Sequence, residues 1–478
     1  MSRTSLLMAA AGSALILSGC MTIREPYDRP EAPIPEALPV TDANGEEISP
    51  LVWQEVYQNP KLRELVGLAL DENRDLRVAA ANVQLARAQY GITRAQRLPT
   101  VTASGSVTEG GTFDDDDGGF SGGGGGFGDN ARASLGVTAY ELDLFGRVAN
   151  LNEAALQAYL ASEEGERAAK ISIAATVGEL WMRLAADKAF LALAEDTVDV
   201  QSESLDLTRE LFEAGVATEL DVRRASSSVE TARAQAAQFT AQVDQDLNAL
   251  RFVVGTRLPD GVLEAAELSQ SALDGDLPVG QSSLVLLKRP DVQQAERQLL
   301  SANANVGAAR AAFFPTISLT GSIAYSSTQL DDLFDGTAGW SVGPSVSLPI
   351  FDAGARQANL DVSEAQRQLA VANYEQAIQV AFQDTANALA VGRTIDDRVA
   401  ALTRLVEDTA VTRDLSEERF QVGVDDYLSV LDSQQLYYDA RQQLIQAELD
   451  RSLNTIALYR ALGTWPEEDA RPQEDGGA

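Results

Sequence analysis

Residues 177–212 read VGELWMRLAADKAFLALAEDTVDVQSESLDLTRELF, and within them Val177, Leu184, Leu191, Val198, Leu205 and Phe212 recur every seventh residue without exception. Leu180 fills the intervening coiled-coil position near the start. A strict seven-residue apolar repeat keeps one seam turned toward neighbouring helices and drives left-handed supercoiling. The stretch from Arg147 to Ala214 has no proline and only two internal glycines, Gly165 and Gly178. One helix over 147–214 is therefore predicted, and at 1.5 Å per residue it would be about 100 Å long. No globular domain of this size needs such a rod. Further on, Ile395, Val399, Leu402 and Val406 alternate in steps of four and three, and Leu431, Tyr438, Ile445 and Tyr459 lie on one heptad frame. Taken alone, these helices describe a plain structural coiled coil.

The chain repeats itself once. Aligning Asp75 with Asp291 brings Gly91 onto Gly307, Arg94 onto Arg310, Pro99 onto Pro315 and Gly105-Ser106 onto Gly321-Ser322. A second block sets Phe212, Gly215, Val216, Leu220 and Val222 against Phe420, Gly423, Val424, Leu428 and Val430. Leu142-Asp143-Leu144-Phe145 corresponds to Leu348-Pro349-Ile350-Phe351. A period of about two hundred residues is too long for a solenoid unit, so this is a tandem duplication of a whole module. The first copy is expected over 57–255, with strands at 100–108 and 131–145 and helices at 147–214 and 219–254. The second is expected over 284–463, with strands at 316–325 and 340–351 and helices at 353–421 and 427–462. The Pro-, Gly- and Asp-rich segment 256–283 between them reads as loop.

The strands count against a plain coiled coil. Val101, Ala103 and Val107 alternate with hydroxyl side chains, and Ile317, Leu319 and Ile323 face away from Thr316, Ser318, Thr320 and Ser322. Such alternation suits a water-filled membrane barrel, and equally a soluble sheet with one wet face. Four strands cannot close a barrel with a useful lumen. Either several chains contribute strands or the sheet is not a barrel. Between the first two strands, Asp114-Asp115-Asp116-Asp117 and Gly122–Gly126 read as a flexible, solvated loop; four carboxylates suggest calcium, but without the spacing of a calcium loop.

Composition removes most chemistry. The 478 residues carry 37 Lys+Arg against 71 Asp+Glu, a net charge of −34, which argues against nucleic acid as a partner. There is no histidine, so Ser-His-Asp and Cys-His catalysis, imidazole metal sites and a histidine pH switch are excluded. The single cysteine, Cys20, rules out an intrachain disulfide and thiolate zinc clusters. Cys20 closes Leu17-Ser18-Gly19-Cys20 after Arg3 and the apolar run Leu6–Leu17, which is too short to span a bilayer. This looks like a bacterial lipobox: 1–19 is a signal peptide, Cys20 takes the lipid, and Met21 in the next position favours the outer membrane. Pro26, Pro30, Pro33, Pro35 and Pro39 then make the arm over 20–56 extended. No later segment is apolar enough for a transmembrane helix, so any crossing is made by strands. An acidic flexible tail occupies 464–478.

The lipobox, the duplicated strand and coiled-coil modules, and the segments Tyr140–Arg147, Arg289-Pro290-Asp291-Val292 and Phe420–Leu428 occur together. In this combination the chain resembles the outer-membrane factors of tripartite efflux systems, the TolC/OprM group, and more closely their lipoprotein branch, from Cys20 to about Trp465. The resemblance implies a mainly α protein with a transmembrane β-barrel. In that arrangement a homotrimer closes twelve strands in the outer membrane of a Gram-negative bacterium, over a tunnel of coiled-coil helices in the periplasm. The implied function is passive conduction of drugs or toxic small molecules, without enzyme activity or cofactor, handed over by a periplasmic adaptor and an inner-membrane RND-type transporter. It further implies a periplasmic gate at Leu428 and Asp432. The basic residue that often follows in Asp-x-x-Arg order is here Gln435, and Arg224, at the Asp432 position of the first copy, is the substitute partner considered. Gly215, Val216, Gly423, Val424 and Asp425 sit at helix-hairpin turns that the resemblance assigns to adaptor contact. The same architecture also serves as an exit duct for type I protein secretion or for metal ions, and a lipid-anchored periplasmic coiled-coil scaffold without a pore is the other alternative.

Overall fold

The computed structural model describes residues 25–39, 52–108, 130–268, 273, 282–328, 330–335 and 337–463. The signal segment, Cys20, the Asp114–Asp117 run and the tail 464–478 lie outside the described residues. In chain order the elements are α1 (Trp53–Val56), α2 (Pro60–Glu72), α3 (Arg74–Ala95), β1 (Val101–Thr108), β2 (Asn130–Glu141), α4 (Arg147–Glu213), α5 (Glu219–Val254) and α6 (Val262–Ala265). A 3₁₀ turn (Ser283–Lys288) follows, then α7 (Pro290–Ala311), β3 (Thr316–Ser327), β4 (Thr337–Ser347), α8 (Ala355–Gln421) and α9 (Tyr427–Leu462). α3 and α7 each have 22 residues, α4 and α8 each 67, and α5 and α9 each 36.

Several boundaries differ from those predicted. The strand expected over 131–145 ends at Glu141, and the one expected over 340–351 runs from Thr337 to Ser347. The reason is helix capping. Asp143 Oδ2 accepts the Ala149 amide at 2.7 Å, and the Asp352 carboxylate accepts the amides of Gly354 and Arg356 at 3.1 and 3.2 Å. The chain therefore leaves the sheet early to start α4 and α8. The helix that opens the first copy is broken at Asn73, whose Oδ1 accepts the amides of Asp75 and Leu76 and so begins α3 afresh. The linker read as loop contains α6. Lys188 Nζ closes that short helix by donating to the carbonyls of Leu263, Glu264 and Ala266 at 2.8, 3.1 and 3.2 Å.

The chain forms two compact units. The first takes residues up to Pro30, Gln84–Ala161 and Ala295–Asn373; the second takes Glu31–Val83, Ser162–Gln294 and Tyr374 onward. In the first unit α4 and α7 meet through small residues, with Ala154, Ala161, Ala304, Ala308 and Ala311 buried, and Ser301 Oγ donates to the Ala154 carbonyl at 2.8 Å. The N-terminal arm is bolted to the same unit. Glu25 pairs with Arg310 at 2.7 Å and Arg367 at 3.2 Å, which holds its carboxyl below the usual range, and Arg29 Nε donates to Glu296 at 2.7 Å.

In the second unit the heptad side chains Val177, Leu184 and Leu205 are buried, as are Ile395 and Val399. Trp181, Tyr57 and Tyr459 fill the centre, the two tyrosine rings meeting edge to face at 6.0 Å. Gly178 interrupts the helix composition for a reason of space: a Cβ there would sit 2.6 Å from the Tyr57 hydroxyl oxygen. That hydroxyl donates to the Ala174 carbonyl at 2.9 Å.

Candidate functional site

In the first unit the four strands form one antiparallel sheet in the order β1-β2-β3-β4. The register lines side chains up in rows, because residues directly opposite in an antiparallel ladder share a face. Ala103, Leu135, Ile323 and Trp340 form one row, and Val101, Val137, Gly321 and Val342 another. Ile317 and Val346 pair on the same face, as do Leu319 and Pro344. A bulge between Val137 and Tyr140, with Ala139 at φ 52°, shifts β2 by one residue and returns Tyr140 to this face opposite Leu319. No charged side chain occupies these rows. The opposite face carries hydroxyls that meet across strands: Ser104 and Ser134 at 2.8 Å, Ser318 and Ser345 at 2.7 Å, Ser322 and Ser341 at 3.0 Å.

Most of the apolar face is uncovered. Trp340 is 79% exposed and Leu135 53%. β1 and β4, at the two edges of the sheet, are exposed along their entire length. An open sheet with an exposed apolar face is an aggregation hazard in water, whereas in a bilayer the apolar rows would belong to lipid and the hydroxyl rows to a lumen.

In the second unit the tips of the two long helix pairs are built alike. Gly215 and Gly423 take φ of 78° and 77°. The Val216 amide donates back to the Leu211 carbonyl at 2.8 Å, and the Val424 amide to Arg419 at 2.9 Å, each closing a left-handed helix stop. Space does not demand glycine here, since nothing lies within 4 Å of a Cβ at either position; the positive φ does. The return helices are capped by Thr218, in a reciprocal box with Asp221, and by Asp426. Val216, Val422 and Val424 are exposed, so both turns present apolar side chains to solvent.

The tips differ in one respect. Arg419 grips Asp425 with both nitrogens, at 2.6 and 2.8 Å, lowering the Asp425 pKa through the guanidinium hydrogen bonds. In the first copy Leu211 and Ala217 stand at these places, so only the second turn is braced. Behind the turns one buried cluster draws on four helices: Leu205 of α4, Ala225 and Val229 of α5, Tyr427 and Val430 of α9, with Phe420 of α8 packed against it. Ser204 Oγ donates to the Tyr427 hydroxyl at 3.1 Å, and burial raises the Tyr427 pKa.

This packing leaves one stripe of α9 open. Tyr427, Val430, Ser433, Gln434 and Tyr438 face inward, while Leu428, Asp432, Gln435 and Leu436 are exposed. Gln435 donates forward to Asp439 at 2.8 Å rather than back to Asp432. Arg224 is exposed on α5, and among the described residues of a single chain no ion pair joins it to Asp432. Leu436 was missed from the sequence, although its place two turns beyond Leu428 on the same face was the available signal. Arg413, whose guanidinium lies 4.4 Å from the centre of the Tyr437 ring and ties α8 to α9, had no sequence signal.

Long paired helices, two matched helix-hairpin tips and a two-faced antiparallel sheet are what the sequence shares with known proteins. Residues 65–256 and 282–464 match the family described as outer membrane efflux protein. The chain belongs to that family. The toluene efflux pump outer membrane protein TtgC of Pseudomonas putida is 40% identical over 479 residues, covering 98% of both chains. The cation efflux system protein CusC of Escherichia coli O157:H7 is 36% identical over 462 residues, covering 94% of this chain and 96% of CusC. The open-state structure of the Neisseria gonorrhoeae MtrE outer membrane channel superposes with a TM-score of 0.82 at 35% identity, covering 93% of this chain and 98% of MtrE. The present outer membrane efflux protein is thus mostly helical with one four-stranded sheet, as in this group of channels, and functions in efflux at the outer membrane.

Proposed function

We propose that three copies of this outer membrane efflux protein close one twelve-stranded barrel and conduct toxic organic molecules passively to the outside. The observation that carries this is the sheet. One face holds mostly apolar rows and is largely uncovered, the other holds hydroxyls, and both edges are open. β2, β3 and β4 have 12, 12 and 11 residues, which meets the nine to eleven that a tilted membrane strand needs. Four strands are too few to enclose a lumen, and three sheets of four give a barrel wide enough for one.

The equal helix lengths in the two halves support a duplicated module whose six copies in a trimer line a periplasmic tunnel. Leu428 and Asp432, on the uncovered stripe of α9, form the gate of that tunnel: leucines make a dry constriction and carboxylates repel anions. Gly215, Val216, Gly423, Val424 and Asp425 meet a periplasmic adaptor, which links the channel to an RND-type inner-membrane transporter. Cys20 carries the lipid anchor in the outer-membrane leaflet, five residues ahead of the Glu25 clasp, a reach of about 18 Å in an extended chain. No step requires a cofactor or catalysis. TtgC, named for toluene efflux and 40% identical, favours organic substrates over the cations in the name of CusC at 36%.

The test is reconstitution of the purified chain in a planar bilayer, with its native mass measured in detergent. A trimer that gives stepwise conductance is expected. A monomer that gives none refutes the channel, and a deletion strain sensitised to metal ions but not to solvents or antibiotics refutes the substrate class.

A further inference from the structure

The two halves of the chain leave the sheet through equivalent turns, yet one turn is packed and the other is bare. After β2, the Leu142 amide donates to the Ile317 carbonyl at 2.7 Å and the Phe145 ring stacks on Phe314 at 4.9 Å. The exit from β2 is thereby fastened to the lead-in of the next strand, β3. After β4, Phe351, the equivalent of Phe145, is 88% exposed, and Ile350, the equivalent of Leu144, is 86% exposed where Leu144 is 52%. Among the described residues no strand of its own chain follows β4. The bare strand lead-in is that of β1, where Leu98, the counterpart of Phe314 in the first copy, is 70% exposed. β1 and β4 lie at opposite edges of the sheet, three strand spacings or about 14 Å apart, so Phe351 is not offered Leu98 by the ladder of its own chain.

We propose that Ile350 and Phe351 form the grip by which one copy of the chain seizes the next, seating on Leu98 of the neighbour as Phe145 seats on Phe314 within the chain. This rests on the trimeric channel and names the contact that closes it. The internal junction also fixes the register. Its Leu142–Ile317 hydrogen bond translates into one from Leu348 to the neighbour's Val101, which sets Ser345 opposite Ser104, Val346 opposite Ala103 and Val342 opposite Val107. Hydroxyl then meets hydroxyl and apolar meets apolar, as on the three ladders within the chain. Pro344, which lacks an amide hydrogen, falls opposite Gly105, where its ring meets no side chain.

Cysteine cross-linking of the full-length chain tests this, because the native sequence holds only Cys20. A disulfide needs Cα atoms within about 7 Å, so a 104–345 or 98–351 bond across the sheet of one chain is out of reach and any product is between copies. The doubles Leu98→Cys/Phe351→Cys and Ser104→Cys/Ser345→Cys are oxidised with copper phenanthroline in detergent, alongside a register control, Thr108→Cys/Ser345→Cys. Native mass is recorded for every variant. Both test pairs are expected to convert the monomer band on non-reducing gels into a ladder ending at the trimer, with the control left as monomer. Cross-linking of the control in place of the test pairs, or no cross-link from particles of trimeric mass, overturns the proposed contact while leaving the channel standing. A monomeric mass for the unsubstituted chain overturns the trimer itself, and the contact with it.

Discussion

Asp187 on α4 lies beside Asp246 on α5, whose hydrogen bonding and charge both favour a proton on Asp187. Asp246 is buried, and its Oδ2 has no partner. Burial, reinforced by the hydrogen bond to Asp246 and by its charge, pushes Asp187 up to about 7, with Arg183 pulling the other way. Lys188, the adjacent cation, is spent on the three carbonyls that end α6 and does not neutralise the pair. In the unfolded chain Asp187 titrates near its ordinary value of 3.8. The folded state therefore binds the extra proton between those two values. Stability contributed by the protonated pair is complete in acid, falls as pH rises through that window, and is lost above about pH 7.

Asp187→Asn isolates the effect, because the amide keeps the shape of the carboxyl group and does not titrate. The gap in pKa corresponds to about 4 kcal/mol per chain at 1.36 kcal/mol per pH unit. Asp187 is half open to solvent, and screening reduces this to about 2 kcal/mol. With an unfolding entropy of about 2.1 cal/mol/K per residue, that shifts the melting temperature of a 478-residue chain by about 2 °C. Far-ultraviolet circular dichroism of the detergent-solubilised protein during heating gives the measurement. The variant should melt about 2 °C above the parent near pH 8 and together with it near pH 4. A gap that is the same at both pH values, or a variant less stable than the parent near pH 8, refutes the proton on Asp187.

Three other outcomes are expected. Trp340→Arg, at the end of an apolar row on β4, should cost up to about 2–4 kcal/mol per chain and deplete the trimer in outer-membrane extracts, while Ser341→Lys on the hydroxyl face should leave it unchanged. Gly423→Ala forces a side chain into a φ of 77°, at a cost of about 1–2 kcal/mol; amides at the end of α8 should exchange with deuterium about 5–30 times faster, with no change in the sheet. Asp432→Ala should raise the basal conductance of the reconstituted channel and its anion permeability; conductance equal to that of the parent would remove Asp432 from the gate.

What the sequence disclosed, and what it withheld, divides along a physical line. Heptads, strand alternation and the glycine turns are local patterns, each fixed by the geometry of a few neighbouring residues, and Val177, Ser104 and Gly423 could all be read from them. The strand ends were misjudged because Asp143 and Asp352 act as helix caps, and alternation cannot distinguish the last pleat of a strand from the capping turn after it. The raised pKa of Asp187 was invisible, since it depends on which faces of α4 and α5 come together. Phe145 and Phe351 make the sharpest case. They occupy the same place in the same motif and read alike, yet one is stacked and the other stands almost wholly in solvent. The difference lies in the strand that follows: β2 has β3 beside it, and among the described residues no strand follows β4 on its free edge. A duplicated sequence specifies the same sticky turn twice, and a single chain has a strand lead-in left for only one of them. An exposed phenylalanine at the second site is what an unfinished ring of identical junctions would present, and it is why the missing neighbour of β4 is best sought in another copy of this chain.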